Sequence, residues 1–190
     1  FGPTTPLKFT PQQCVLEPTS MYGVSKVAGE LLCNYYHSRW GVDVRSIRYP
    51  GIISWKVEAG GGTTDYAVEI FYEAIKTNSY TCYLKADTYL PQMYMPDAIN
   101  AALALMDADP KNLRVHTSYN LTAFSFCPSE LAKIMKGLHS NFTLKYSIDK
   151  VRQGSADSWP DTVDDSYARE DWGWKPTYSL QKMCEDMYKN

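Results

Sequence analysis

Thr19-Ser20-Met21-Tyr22-Gly23-Val24-Ser25-Lys26-Val27-Ala28-Gly29-Glu30 is the stretch from which fold and chemistry are both read. Ser20 is a good helix cap, and the run after it continues as a helix to about Arg39, with Val27, Leu31 and Tyr35 along one stripe and Gly41 as the stop. On that helix Tyr22 and Lys26 are four residues apart and share a face. A positive charge beside a phenol favours the phenolate, and a phenolate is a usable general base toward a substrate alcohol. Spacing alone is weak ground for this reading. Tyr72–Lys76, Tyr146–Lys150 and Tyr178–Lys182 repeat it in a chain with 15 tyrosines, and the plain reading of any one pair is an exposed helix face. Tyr22 is set apart by the small residues Gly23, Ser25, Ala28 and Gly29, over which a cofactor or another backbone can pass closely.

Outward from this helix, strand and helix patterns alternate. Upstream, Phe1 to Pro6 reads as a strand end running into a Pro-rich loop that lasts to about Pro18. Downstream, Val42–Tyr49 reads as a strand and Pro50–Thr64 as a loop centred on Gly60-Gly61-Gly62. Asp65 is expected to cap a helix that turns Val68, Ile70, Phe71, Ala74 and Ile75 to the core. Short strands follow at Tyr80–Leu84 and Tyr89–Met95, then an apolar helix from Ala98 to about Met106 with Asp97 as its cap. Further strands are expected at Val115–Leu121 and Phe142–Ile148, with a helix between them opened by Pro128-Ser129-Glu130 and closed at Gly137. A loop around Asp157-Ser158-Trp159-Pro160 leads to helices near Ser166–Asp171 and Ser179–Tyr188. This alternation predicts an α/β fold with largely parallel strands, and the shorter strands after Gly60 predict a smaller lobe packed on the main sheet.

Composition excludes several classes. With 44% hydrophobic and 21% charged residues the chain is globular, and its 190 residues suffice for a real core. The net charge of −2 and the lack of a basic tract give no sign of a nucleic-acid partner. No apolar run nears the roughly 20 residues of a membrane helix. The cysteines (Cys14, Cys33, Cys82, Cys127, Cys184) are odd in number and scattered, as in an intracellular protein with reduced thiols. His37, His116 and His139 lie far apart, so no metal is expected.

The Tyr22/Lys26 helix, the β-branched stretch after it and Pro50-Gly51 together resemble the extended short-chain dehydrogenase/reductase superfamily. Within it the resemblance narrows to the L-threonine 3-dehydrogenases. It is carried by Phe1-Gly2-Pro3-Thr4-Thr5-Pro6, Met21-Tyr22-Gly23-Val24-Ser25-Lys26, Arg48-Tyr49-Pro50-Gly51-Ile52-Ile53-Ser54 and Gly60-Gly61-Gly62-Thr63-Thr64-Asp65-Tyr66-Ala67. Tyr89-Leu90-Pro91-Gln92-Met93-Tyr94-Met95, Ala156-Asp157-Ser158-Trp159-Pro160 and Asp171-Trp172-Gly173-Trp174-Lys175-Pro176 extend it over almost the whole chain.

The resemblance implies a C-terminal portion of a Rossmann-like doubly wound sheet plus a smaller substrate lobe. Residues 1–59 would finish the NAD-binding domain, and residues 60–190 would form mainly the substrate lobe, with some segments returning to the sheet. It implies NAD as cofactor, L-threonine as substrate, a homodimer, and an intracellular site, mitochondrial in a eukaryote. Tyr22 would be the base and Lys26 the ribose-binding partner, with Tyr49, Pro50, Gly51 and Ile52 beside the nicotinamide. Hydroxyls and free N–H groups at a helix start suit a carboxylate, so Gly62, Thr63 and Thr64 are expected to hold the substrate and Trp159 to close over it. Trp172 and Trp174 are assigned to the core.

The glycine-rich pyrophosphate motif of such enzymes has no counterpart here, because Gly60-Gly61-Gly62 lacks both the spacing and the preceding strand. The chain alone is therefore expected not to bind NAD tightly or to turn over. A nucleotide-sugar epimerase or dehydratase shares the Tyr/Lys pair, but usually carries Asn where Pro50-Gly51 stands here. A non-catalytic binding protein retaining the fold is the third reading.

Overall fold

The computed structural model describes all of residues 1–190. Its long helix α1, Met21–Trp40, starts where the side chain of Ser20 accepts the Gly23 N–H. It stops where Gly41 takes a left-handed turn (φ 66°) and donates its N–H to the His37 carbonyl. Both ends follow the cap chemistry of the sequence. Its packing does not, because no residue of α1 is buried, and Leu31 and Tyr35 of the expected stripe are exposed.

The strands form an α/β arrangement in three small, mainly parallel pieces. β1 (Ile47–Arg48) pairs parallel with β5 (Tyr119–Asn120). β2 (Gly51–Ile53) pairs parallel with β4 (Leu90–Tyr94), and β4 pairs antiparallel with β6 (Phe124–Phe126). β3 (Ser79–Cys82) pairs parallel with β7 (Thr143–Tyr146). Two strand expectations, Val42–Tyr49 and Val115–Leu121, shrink to two paired residues each, since a β-branched run becomes a ladder only where a partner lies alongside. Conversely, β2 lies inside the span 50–64 expected to be loop, and β6 had no expectation at all.

β4 is buried along its whole length. Successive strand residues face opposite sides of the sheet, so Leu90 and Tyr94 join one core while Met93 joins another. The larger core gathers Tyr66, Ile70, Phe71 and Ala74 of α2 (Tyr66–Thr77) with Leu131 and Met135 of α4 (Pro128–Leu138) and Met183, Cys184 and Met187 of α7 (Leu180–Lys189). The smaller one gathers Ala98, Ala101 and Leu105 of α3 (Met95–Asp107) with Tyr119, Ala168 and Trp174, and Trp172 packs against it. Each fully buried Tyr, Phe or Leu here stabilises by roughly 1.5–3 kcal/mol. Ile75, expected in the core, is exposed on the outer side of α2. No helix is long and apolar enough to cross a membrane. All five cysteines are free, and burial pushes the Cys82 thiol up to about 11 and that of Cys184 up to about 12.

Neither acidic residue expected as a cap makes a cap hydrogen bond to its own helix. Asp97 lies one turn into α3, which begins at Met95, and its carboxylate accepts from the Thr177 N–H, the Thr177 hydroxyl and the Tyr178 N–H. It thereby ties the C-terminal segment to the start of α3. The far end of α3 is closed by Arg45, whose Nη1 donates to the carbonyls of Leu105, Met106 and Ala108. A cation at a helix C-terminus satisfies both orphan carbonyls and the helix dipole. Arg45 is itself held by Asp43, whose carboxyl this hydrogen bond keeps below the usual range.

Asp97 is 1% exposed and bonded only by uncharged donors. Asp97→Ala should leave those donors unpaired and lower the unfolding free energy by about 3 kcal/mol, read as a fall in the urea midpoint. A midpoint shift worth under about 1 kcal/mol would show that the C-terminal segment is held by apolar packing instead.

Candidate active site

Tyr22 and Lys26 stand in the first two turns of α1, and the Lys26 Nζ lies 5.2 Å from the centroid of the Tyr22 ring. The expected shared face is therefore real, with the ammonium over the ring. Both side chains are exposed, and Lys26 has no carboxylate partner. The helix start is pressed onto the preceding loop: a Cβ on Gly23 would stand 2.4 Å from the Pro18 Cβ, so only glycine fits. An exposed, uncommitted ammonium beside a phenol suits the hydroxyl-rich ribose end of a dinucleotide. The residues present thus fit that end of the cofactor.

One ion pair anchors the middle of α1 to β1. Arg48 Nε and Nη2 grip the two carboxylate oxygens of Glu30 at 2.8 and 2.5 Å, while Nη1 donates to the Gln12 carbonyl and the Asn120 side chain at 3.0 Å. Asn120 continues the network to Gln12, Thr10 and Asp164. The sequence contained both Glu30 and Arg48, but nothing local linked them across 18 positions.

The second group of expected residues comes together around β2. Gly51 sits in the strand, where a Cβ would meet the Thr64 Cγ2 at 2.8 Å and its Oγ1 at 3.2 Å. The Tyr49–Ile52 segment and the Gly62–Thr64 loop are thus in direct contact. The Tyr49 hydroxyl is committed to the Ala98 carbonyl at 2.8 Å. Thr63 Oγ1 lies 3.2 Å from the hydroxyl of Ser155 in α5 (Lys150–Ala156), a helix that sequence reading passed over. Trp159, two residues past the end of that helix and its following Asp157, bonds its N–H to the Ala156 carbonyl and packs on the larger core. No hydrogen bond joins Tyr22 or Lys26 to this second group.

The glycine loop departs from expectation in one respect. Its glycine N–H groups are not free, because those of Gly61 and Gly62 both donate to Asp65 Oδ2, at 2.7 and 2.6 Å, whereas those of Thr63 and Thr64 make no hydrogen bond within the chain. Asp65 already has helical backbone angles (φ −66°, ψ −18°) and cannot present its carboxylate to the helix in the usual extended cap geometry. It turns back to brace the loop instead. The open N–H of Tyr66 is taken by the hydroxyl of Tyr83, 17 residues away. Close by, Gln92 is fully buried; its side-chain amide donates to the Tyr66 hydroxyl while its Oε1 has no partner.

Residues 1–121 match the NAD dependent epimerase/dehydratase family. A curated relative, named an uncharacterized epimerase/dehydratase of Staphylococcus haemolyticus, is 52% identical over 189 residues, which are 100% of this chain and 59% of that protein. The chain thus spans about six tenths of the length of this relative. Among solved structures, the apo L-threonine dehydrogenase of Cupriavidus necator superposes with a TM-score of 0.96 at 53% identity, covering 100% of this chain and 68% of that one. The L-threonine dehydrogenase of Clostridium difficile gives a TM-score of 0.97 at 46% identity, covering 100% of this chain and 59% of that one.

The contact of Gly51 with Thr64 makes a stability prediction. Gly51→Ala should cost roughly 1–3 kcal/mol through overpacking against the threonine methyl. Adding Thr64→Ser, which removes that methyl, should recover most of the loss in a thermal melt. Equal stability of the wild type and Gly51→Ala would show that the loop yields freely.

Proposed function

This chain belongs to the NAD dependent epimerase/dehydratase family, and we propose that within it the complete protein is an NAD-dependent L-threonine 3-dehydrogenase. The observation that carries this reading is the 53% identity, across the whole chain, to a protein solved as an L-threonine dehydrogenase. The site supports it in kind: a phenol/ammonium pair on a glycine-lined helix, and a hydroxyl-bearing loop touching the strand end at Gly51.

In the proposed reaction the 3-hydroxyl of L-threonine becomes a ketone, giving 2-amino-3-ketobutyrate, with bound NAD⁺ as the acceptor of the hydride from C3. Tyr22 takes the hydroxyl proton as C3 is oxidised. Lys26 holds ribose hydroxyls and adds positive charge beside the developing phenolate. Tyr49, Pro50, Gly51 and Ile52 line the nicotinamide side, and the absence of a Cβ on Gly51 lets the threonine loop come against that strand. Gly62, Thr63 and Thr64 receive the amino-acid end of the substrate. Because Asp65 occupies the Gly61 and Gly62 N–H groups, the hydroxyls and backbone N–H groups of Thr63 and Thr64 are the donors left for its carboxylate. Trp159 closes over a small substrate and excludes water. We assign residues 1–59 to the end of the cofactor domain and residues 60–190 mainly to the substrate lobe, with a second copy as partner.

A nucleotide-sugar epimerase or dehydratase is the second reading, favoured by the family match and by the name of the curated relative. NADH formation by the full-length protein on a panel of L-threonine and UDP-sugars separates the two. Tyr22→Phe should lower kcat at least about 10²-fold with NAD⁺ binding little changed, and near-normal turnover would refute the assignment of the base. Thr64→Val should raise the KM for L-threonine about ten- to a hundred-fold, the loss of a hydrogen bond to a charged group, while sparing that for NAD⁺. Trp159→Ala should instead lower kcat and kcat/KM together. Unchanged threonine kinetics in a folded Thr64→Val variant would exclude the loop from the substrate site.

A further inference from the structure

Tyr83 lies just beyond β3, almost wholly buried, and no part of the proposed chemistry uses it. Its hydroxyl accepts the Tyr66 N–H at 2.8 Å, the first open donor of α2. The same hydroxyl lies 3.1 Å from the Gly62 carbonyl and 3.3 Å from that of Thr63, and donates toward them. One phenol thus holds the helix start and the loop that precedes it. Burial raises its pKa well above the ordinary tyrosine value, so it stays a neutral donor across the working range of pH.

The ring of Tyr83 is held in turn by α5. The Arg152 guanidinium sits 4.2 Å from the ring centroid, a cation–π contact. From the same helix, Ser155 faces Thr63 at 3.2 Å, and the buried Gln153 accepts the Lys85 N–H and donates to Thr88. The helix is also the lead-in to Trp159. Tyr83 and Asp65 between them absorb the N–H groups of Gly61 and Gly62 and the carbonyls of Gly62 and Thr63. Thr64 Oγ1 makes no hydrogen bond within the chain.

From this arrangement we infer that Tyr83 is a positioning residue for the substrate loop, setting the hydroxyls of Thr63 and Thr64 for a small amino-acid substrate and linking them through α5 to Trp159. The inference rests on the reading that L-threonine is the substrate. It requires that removing the phenol oxygen loosen the loop without touching the reacting atoms or the cofactor.

The test uses Tyr83→Phe in the full-length protein, which keeps the ring and the Arg152 contact and deletes only the oxygen. The KM for L-threonine should rise roughly ten-fold, as for the loss of a buried hydrogen bond. kcat and the KM for NAD⁺ should stay within about two-fold, a split that a general loss of stability would not produce. Ser155→Ala, at a less buried contact, should raise the threonine KM roughly three-fold, and it carries the test if Tyr83→Phe does not fold. An unchanged threonine KM in the folded variant, or a fall in kcat alone, overturns the role of Tyr83. Failure of the unsubstituted protein to oxidise threonine overturns the substrate assignment and this inference with it, so the two failures are distinguishable.

Discussion

The bidentate pair of Arg48 and Glu30 is the interaction on which the candidate site depends. Helix α1 has no buried residue, and contacts along its length tie it to the rest of the chain: Gly23 against Pro18 at its start and the His37 ring stacked on that of His116 near its end. Between them the Arg48 fork grips Glu30 on one side and reaches Gln12 and Asn120 on the other. Both side chains are 14% exposed, which places the pair between a surface bridge and a buried one. In that setting, two parallel charge-assisted bonds add geometric definition as well as energy. Because Arg48 belongs to β1, the helix carrying Tyr22 and Lys26 is referenced directly to the sheet.

A second constraint comes from β4. Buried on both faces, it sends alternate side chains into two separate cores and holds β2 beside it in parallel register, Gly51 opposite Gln92. That register leaves Gly51 at the point where Thr64 comes down on the strand. The Gly62–Thr64 loop is thus located by strand pairing below it, by Asp65 at its end, and by Tyr83 and Ser155 beside it. The unpaired Oε1 of Gln92 belongs to the residue registered opposite Gly51.

What could be read from the sequence alone was local. The ends of α1, the shared face of Tyr22 and Lys26, the start of α4 at Pro128 and the alternation that makes an α/β fold all follow from contacts within about four residues or from side-chain periodicity. The tertiary structure alone decided what happens where partners are distant. Asp97 has the residue type of a cap, yet it binds Thr177 and Tyr178, some 80 positions on. Leu31, Tyr35 and Ile75 have the periodicity of core residues but are exposed in this chain. The runs at residues 42–49 and 115–121 have strand character but only two paired residues each. Arg48 with Glu30 and Tyr83 with the threonine loop are joined across 18 to 21 positions. Backbone periodicity sets which residues share a face, whereas hydrogen-bond partners and burial depend on which segments the packed cores bring together.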